Sequence, residues 1–136
     1  MTAYRVWIPG RLPGMNEIID GAKCRYNRNA RGKESSGYQV MKKRFGRHLT
    51  NIFRGERIPQ MKAVRVHFDW IESPGSNRDP DNIDGGGRKF LLDAMVKAGI
   101  IRNDTRRYVK GLSCDFPEVR PDCGVMVTIE ELAKGD

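Results

Sequence analysis

The segment Ala63–Ile71, AVRVHFDWI, sets the fold, because its side chains alternate between apolar and polar from Val64 to Trp70. One side of this segment carries only apolar residues: Val64, Val66, Phe68 and Trp70. The other side carries three polar ones: Arg65, His67 and Asp69. Such alternation predicts a strand that is buried on one face. His67 is the one histidine on this polar side, and it is interpreted as a surface residue rather than a ligand.

Three further strands and two helices are predicted on either side of this strand. The strands are expected at Tyr4–Ile8, Tyr108–Cys114 and Val125–Glu130, where β-favouring residues are bounded by turn residues. One helix is predicted from about Tyr38 to Phe53, with Ser35 or Ser36 available as its cap. Its apolar residues recur at steps of three and four: Tyr38, Met41, Phe45, Leu49 and Ile52.

A second helix is predicted from roughly Arg88 to Ala98, apolar on most sides and ended by Gly99. Residues 20–36 are polar and basic, which favours a loop. The resulting order, β-α-β-α-β-β, predicts an α+β fold with a small mixed β-sheet of about four strands and two main helices. At 136 residues, the chain is expected to form a single domain, 1–136.

The charge of the chain is strongly uneven. The formal net charge is +8, but residues 1–66 hold 15 Lys and Arg against 4 Asp and Glu, whereas residues 67–136 hold 10 against 13. A basic half beside an acidic centre is typical of a protein that binds a phosphate backbone around a metal site. A merely solvated basic surface is the alternative. The predicted DNA-binding residues are Lys23, Arg25, Arg28, Arg31, Lys33, Lys42, Lys43, Arg47, Arg88, Arg106 and Arg107.

Several classes of protein are disfavoured by composition. No apolar run approaches the length of a membrane span, and the first residues lack the apolar core of a signal peptide, so we expect a cytoplasmic protein. The three cysteines show no CxxC spacing, which indicates free thiols rather than a disulfide framework or a zinc site. The GGGRK segment at 85–89 lacks the frame of a nucleotide-binding P-loop, so no nucleotide cofactor is expected.

The run RDPDNIDGGGRKFLLDAMVKAGIIRND, Arg78–Asp104, concentrates five aspartates in a basic protein. Asp79 and Asp81 are predicted to point the same way from an extended segment, roughly 7 Å apart. Carboxylates so placed suit a hard ion such as Mg²⁺, which completes its shell with water and phosphate oxygens. Asn82 is interpreted as a helix cap and Asp84 as a spacer or a helix-start residue.

Two details of this run leave alternatives open. The three glycines at 85–87 would either bring the backbone close to a phosphate or metal, or form a tight turn without a chemical role. Lys89 and Asp93 are four residues apart on the second helix, so they either neutralise each other or leave Lys89 to contact a phosphate.

The pattern Asp79-x-Asp81-Asn82, then Lys89-x-x-x-Asp93-Ala94, then Gly99 and Asp104, resembles the RusA family of Holliday junction resolvases. The early segment IPGRLPGMNE at 8–17, which contains Asn16, is similar to the start of that family. Two points depart from the family pattern. The lysine follows the second aspartate after eight residues instead of four, which makes Arg88 its substitute, and Asn103-Asp104 stands where an Asp-Asp pair is common.

The resemblance implies an endonuclease of phage or bacterial origin that acts as a homodimer on four-way DNA junctions in recombination and repair. It implies Mg²⁺, with Mn²⁺ as a substitute, as cofactor. Carried over by residue, it implies Asp79, Asp81 and Asp104 as metal ligands and Lys89 as the catalytic lysine. Two other interpretations remain open from the residues alone: a non-enzymatic basic DNA-binding protein, and a nuclease that acts on flaps or single strands.

Overall fold

The structure, a computed structural model, describes residues 2–14, 25–28 and 34–132. Within these residues the chain forms six strands and two helices. The elements in chain order are β1 (Ala3–Pro9), β2 (Arg25–Arg28), β3 (Glu34–Ser36), α1 (Gly37–Gly55), β4 (Val64–Glu72), α2 (Pro80–Lys97), β5 (Val109–Val119) and β6 (Gly124–Glu131).

Four of the strands form one mixed sheet in the order β1-β6-β4-β5. β6 lies antiparallel to both β1 and β4, whereas β4 and β5 are parallel. A parallel pair needs a long crossover between its strands, and α2 supplies it. The predicted α+β fold, with a sheet of four strands and two helices in the order β-α-β-α-β-β, is confirmed.

The core lies between this sheet and the two helices. The apolar side of β4 is buried as predicted, since Val64, Val66 and Phe68 have no exposed surface and Trp70 is 3% exposed. The matching side of β6 contributes three more fully buried residues: Val125, Val127 and Ile129. The helices cover this face with the buried side chains of Leu49, Phe53, Phe90, Leu91, Ala94 and Met95. The alternation along β4 therefore decides which face of the sheet the helices cover.

The prediction for the start of α2 was wrong by eight residues. The helix begins at Pro80 instead of Arg88, so the three glycines lie inside it and Asn82 is not its cap. Gly87 packs directly against the indole ring of Trp70, and a Cβ added at Gly87 would overlap that ring. The third glycine of the run thus allows α2 to approach β4 closely. This packing role differs from both predicted roles, a backbone contact to a phosphate or metal and a tight turn.

The prediction of a loop over residues 20–36 was wrong for part of that range. β2 and β3 form a two-stranded antiparallel sheet that is separate from the main one, with Arg25 opposite Ser36. The remaining residues of the predicted loop lie outside the described part of the chain. In the described ranges, no helix is both long and apolar enough to cross a membrane.

Candidate metal and nucleic-acid sites

The start of α2 presents two carboxylates to solvent. Asp79 is the N-cap residue, with extended backbone angles (φ −69°, ψ 148°), and Pro80 follows as the first helical residue. Aspartate before proline is a favourable helix start, because proline needs no amide partner there. The Asp79 side chain makes no capping hydrogen bond, and Asp81 lies in the first helical turn. Both residues are exposed, so both carboxylates are open to a cation from solvent.

Arg78 fixes this helix start to the end of β4. Its guanidinium donates to both oxygens of the Glu72 carboxylate, with each Nη2–Oε distance at 2.9 Å, and to the backbone oxygen of Leu12 at 2.9 Å. Both charged side chains are largely buried, which strengthens their attraction relative to a surface pair. A Cβ added at Gly14 would lie 2.7 Å from Asn82 Oδ1. The two segments that carry the family resemblance therefore meet here; Asn16 lies outside the described residues.

Lys89 lies farther along α2 than the family pattern would put it. Four extra residues add about one helical turn, roughly 6 Å along the axis and 40° around it. Lys89 is exposed and lies roughly 12 Å along the helix from Asp81 at 1.5 Å per residue. Arg88, its substitute by sequence, pairs with Asp84 and lies over the Phe68 ring, 5.8 Å from its centroid. Arg88 is thus held in a structural contact between α2 and β4.

Asp84, interpreted from sequence as a spacer or a helix-start residue, is a buried structural residue of α2. It is 8% exposed, accepts a hydrogen bond from Trp70 Nε1 at 2.9 Å and pairs with Arg88 one turn later. These contacts tie α2 to β4 beside the Gly87 contact. Burial, reinforced by the neighbouring Asp84 carboxylate, raises the pKa of the Cys114 thiol. Cys114 and Cys123 are free thiols, as predicted, and Cys24 lies outside the described residues.

Asp104 lies at the opposite end of the molecule from Asp79 and Asp81. The loop that contains Asp104 is tied to the start of β4 on both sides: Met61 N donates to the oxygen of Ile100, and Val64 N to that of Tyr108, each at 2.8 Å. Asp79 and Asp81 lie beyond the far end of β4, and α2 separates the two regions by roughly 24 Å at 1.5 Å per residue. Within one chain, the three aspartates predicted as metal ligands do not come together.

A different group of residues could hold a metal ion. The ligand atoms of His67, Asp69 and Asp115 all lie within 4.8 Å of one another. His67 and Asp69 are alternate residues on the outer face of β4, and Asp115 lies opposite Asp69 in β5. His67 Nε2 is 3.1 Å from Asp69 Oδ1 and 3.3 Å from Asp115 Oδ2, while Nδ1 is 2.6 Å from Ser113 Oγ. That second contact can fix the imidazole tautomer with Nε2 towards the carboxylates.

Sequence reasoning missed this group because it depends on strand register. His67-x-Asp69 is visible in the sequence as a pair on one face of a strand, but the third ligand comes from β5. β4 and β5 are parallel and their register shifts twice along the pair. Neither shift leaves a signal in the sequence that would have indicated Asp115.

The exposed face of α1 forms a strongly cationic groove with the end of α2. This groove, of about 830 Å³, is lined by five cations and no carboxylate: Lys42, Lys43, Arg44, Arg47 and Lys97, together with Gln39 and Val40. The two helices are held together below it by the Phe45 and Phe90 rings, whose centroids are 5.9 Å apart. Such a surface suits the phosphate backbone of a nucleic acid. We call it the α1 groove.

The other predicted DNA-binding residues are dispersed. Arg106 and Arg107 are exposed in the loop before β5, the same loop that contains Asp104. Arg25 and Arg28 belong to β2, and Lys23, Arg31 and Lys33 lie outside the described residues. Lys97, which completes the α1 groove, was not predicted, because the packing of α2 on α1 brings it there.

Neither the models of known protein families nor the curated protein sequences compared with this chain give a match.

Proposed function

We propose that this protein is a Mg²⁺-dependent, structure-selective DNA endonuclease that resolves four-way junctions by paired phosphodiester hydrolysis in recombination and repair. The observation that carries the proposal is the pair of exposed carboxylates, Asp79 and Asp81, at the start of α2, in a protein whose α1 groove carries five cations and no carboxylate. The first feature suits a hard metal ion, and the second suits the DNA that such an ion would act on.

The donor set at the start of α2 fits Mg²⁺, with Mn²⁺ as a substitute. Two exposed carboxylates supply oxygen ligands only, and solvent access leaves other positions for water and a phosphate oxygen. When bound, the ion would polarise the phosphodiester and lower the pKa of a coordinated water. The positive end of the α2 dipole would attract the same phosphate, since helix N-termini favour anions. Lys89 would contact a neighbouring phosphate of the strand.

DNA binding would rest on the α1 groove and on the exposed arginines of the loop that precedes β5. The groove is lined by five cations and no acidic residue, so no negative side chain of the lining repels a phosphate backbone there. Contacts of this type hold the backbone and give little sequence preference. Selectivity for a junction would then come from the spacing of the groove and the two carboxylates.

A homodimer explains how Asp104 can take part. One chain holds Asp79 and Asp81 at one end of α2 and its own Asp104 near the other. A two-fold axis between two copies reverses their directions, so that Asp104 of the partner subunit can complete the carboxylate set. Two such sites per dimer would also suit two symmetric cuts.

Mixing two inactive variants tests the shared site. In a heterodimer of Asp81→Asn with Asp104→Asn, one site carries both substitutions and the other carries neither. A shared site therefore predicts that the 1:1 mixture regains nicking activity while each variant alone has none. If each site lies within one chain, the mixture stays inactive, and the role of Asp104 must be abandoned.

The cleavage assay that tests the proposal compares a four-way junction with flap and linear duplex substrates, with and without Mg²⁺. We expect Mg²⁺-dependent cutting of the junction, lost in Asp81→Asn while junction binding is retained. Asp122→Asn is the matched control, since Asp122 is an exposed aspartate in the turn between β5 and β6. Preference for flaps would favour the flap-nuclease alternative.

The separation of Asp104 from Asp79 and Asp81 favours a second candidate, a non-enzymatic DNA-binding protein that uses only the α1 groove. This candidate predicts junction or duplex binding that is indifferent to Mg²⁺. It also predicts no nicking by the parent protein at any concentration of the metal.

A further inference from the structure

We infer that β5 is the surface through which two copies of this chain join, edge to edge and antiparallel, with Cys114 on the two-fold axis. The inference names the interface of the proposed homodimer. Its functional role rests on the proposed nuclease, whereas its geometry is argued from β5 alone. The joined sheets would form one continuous sheet of eight strands.

β5 is an open edge in the described structure. It is the terminal strand of the main sheet and pairs only with β4 among the described elements, although it is 11 residues long. A long edge strand carries a row of unpaired backbone donors and acceptors that another strand can pair with. The exposed large apolar side chains of the described residues all lie on β5: Leu112, Phe116 and Val119. Within the described part of the chain, the outer backbone edge of β5 and its apolar side chains thus both lack a partner.

The sequence of β5 is complementary to itself when reversed about Cys114. Antiparallel pairing about this residue places Leu112 opposite the partner subunit's Phe116, and Ser113 opposite the partner subunit's Asp115. Just beyond them, Lys110 faces Glu118 of the partner subunit, and both of these residues are exposed. Apolar pairs and opposite charges that lie directly across two strands stabilise a sheet. Each pair occurs twice by symmetry.

Neighbouring registers are worse by the same criteria. Centring the pair on Ser113 sets Lys110 against the partner's Phe116, and centring it on Asp115 sets two aspartates against each other. A like-charge pair directly opposite is destabilising. Pro117 has no amide hydrogen, and the register with β4 shifts between Asp69 and Ile71, so backbone pairing is most regular over Leu112–Phe116, with the Lys110–Glu118 pairs at its two margins. Cys114 is the centre of that stretch.

The antiparallel arrangement also has the direction that the shared site needs. β5 ends at Val119, beside Glu72, since Arg120 N donates to the Glu72 oxygen at 3.0 Å. Glu72 holds Arg78, so Asp79 and Asp81 lie at this end of the sheet. In the antiparallel pair, the start of the partner's β5 lies at the same end, and Asp104 of the partner subunit precedes that start by five residues.

Cross-linking tests the position of the axis. Cα atoms directly opposite in an antiparallel pair are about 4.5–5.5 Å apart, so a short bismaleimide can bridge the two Cys114 thiols by addition to both of its double bonds. A variant with Cys24→Ser and Cys123→Ser keeps Cys114 as its sole thiol and should become a covalent dimer. The matched variant with Cys24→Ser and Cys114→Ser keeps Cys123 and should remain uncrosslinked. Efficient cross-linking through Cys123 alone would overturn the inference.

Charge exchange tests the register. Lys110→Glu and Glu118→Lys each replace two attractive pairs by two repulsive ones, so each should raise the dimerisation Kd roughly tenfold or more. The double variant Lys110→Glu/Glu118→Lys restores opposite charges and should recover the dimer, measured as a shift from 15.5 kDa to twice that mass in sedimentation equilibrium. Lys62→Glu, exposed and outside β5, is the control for charge alone.

The outcomes separate this inference from the proposed function. A dimer that cross-links through Cys114 but never cuts DNA upholds the interface and refutes the nuclease. A protein that cuts junctions but sediments as a monomer, or one whose dimer is unaffected by Lys110→Glu, refutes the interface and leaves the nuclease standing.

Discussion

Replacing Gly87 by alanine should destabilise the protein, although alanine is the better helix former. Gly87 lies inside α2, where alanine gains about 1 kcal/mol over glycine from helix propensity alone. The added methyl group would overlap the Trp70 ring, and overpacking of a core contact costs about 1–3 kcal/mol. Trp70 cannot easily move, because it stacks on Phe68 with 5.9 Å between ring centroids and donates to Asp84 at 2.9 Å. We therefore expect the steric cost to dominate, with a net loss of up to about 2 kcal/mol.

Gly46→Ala is the matched control for this prediction. Gly46 is also a buried glycine inside a helix, but a Cβ added there meets only Lys97 Nζ, at an ordinary 3.7 Å. This variant should keep the propensity gain and become more stable by up to about 1 kcal/mol. The assay is urea denaturation followed by circular dichroism, with equal m-values as the condition for comparison.

A double-mutant cycle with Trp70→Phe isolates the contact. Phenylalanine lacks the ring atoms Cζ2, Cζ3 and Cη2 that lie against Gly87, so the penalty of Gly87→Ala should shrink by about 1 kcal/mol or more in that background. The packing argument fails if Gly87→Ala is as stable as the parent, or if its penalty is unchanged in the Trp70→Phe background.

Three further predictions concern the metal group, the α1 groove and Cys114. His67→Gln should abolish the binding of Zn²⁺ to the His67, Asp69 and Asp115 group in titration calorimetry, whereas His48→Gln, on α1, should leave it intact; unaltered binding in His67→Gln would exclude the group. The Lys42→Gln/Lys43→Gln pair should flatten the log–log salt dependence of duplex binding by up to about 1.8, at about 0.9 per lost phosphate contact, while Lys62→Gln should not change it. Alkylation of Cys114 by iodoacetamide should be slow below the ordinary thiol pKa of 9.0 and accelerate above it, because a raised pKa keeps the thiol protonated. The thiol of the unfolded chain loses its proton at lower pH than the folded one, so this group's contribution to stability falls as pH rises past 9.0. Mass spectrometry that finds Cys114 as reactive as glutathione near neutral pH would contradict this.

The fold could be predicted where side-chain periodicity was strong. The alternation along β4 and β6 gave the buried face of the sheet, and the apolar spacing of α1 located that helix to within two residues at each end. The start of α2 could not be predicted, because three consecutive glycines lower helix propensity by about 1 kcal/mol each. Tertiary contacts override that preference: Gly87 fits against Trp70, and the Asp84–Arg88 pair spans the same turn of helix.

The sequence suggests candidate metal ligands but does not place them in space, for a related reason. Asp79 and Asp81 are both exposed at the start of α2, and their residue types alone suggest a metal site. Their relation to Asp104 depends on the direction and length of α2, which the error in its start concealed. The His67 group depends on the β4–β5 register, a long-range property that no local pattern encodes.

The position of β6 in the sheet affects how the protein can fold during synthesis. β6 lies between β1 and β4, and within the described sheet β1 pairs with β6 alone. The N-terminal strand must therefore wait until Gly124–Glu131 has left the ribosome, since Ala3 pairs with Glu130. Until then β1 and β4 both expose unpaired edges, and such edges are where nascent chains associate wrongly. Emergence of Gly124–Glu131 should thus coincide with the closing of the sheet, a step that pulsed hydrogen exchange on stalled chains can time.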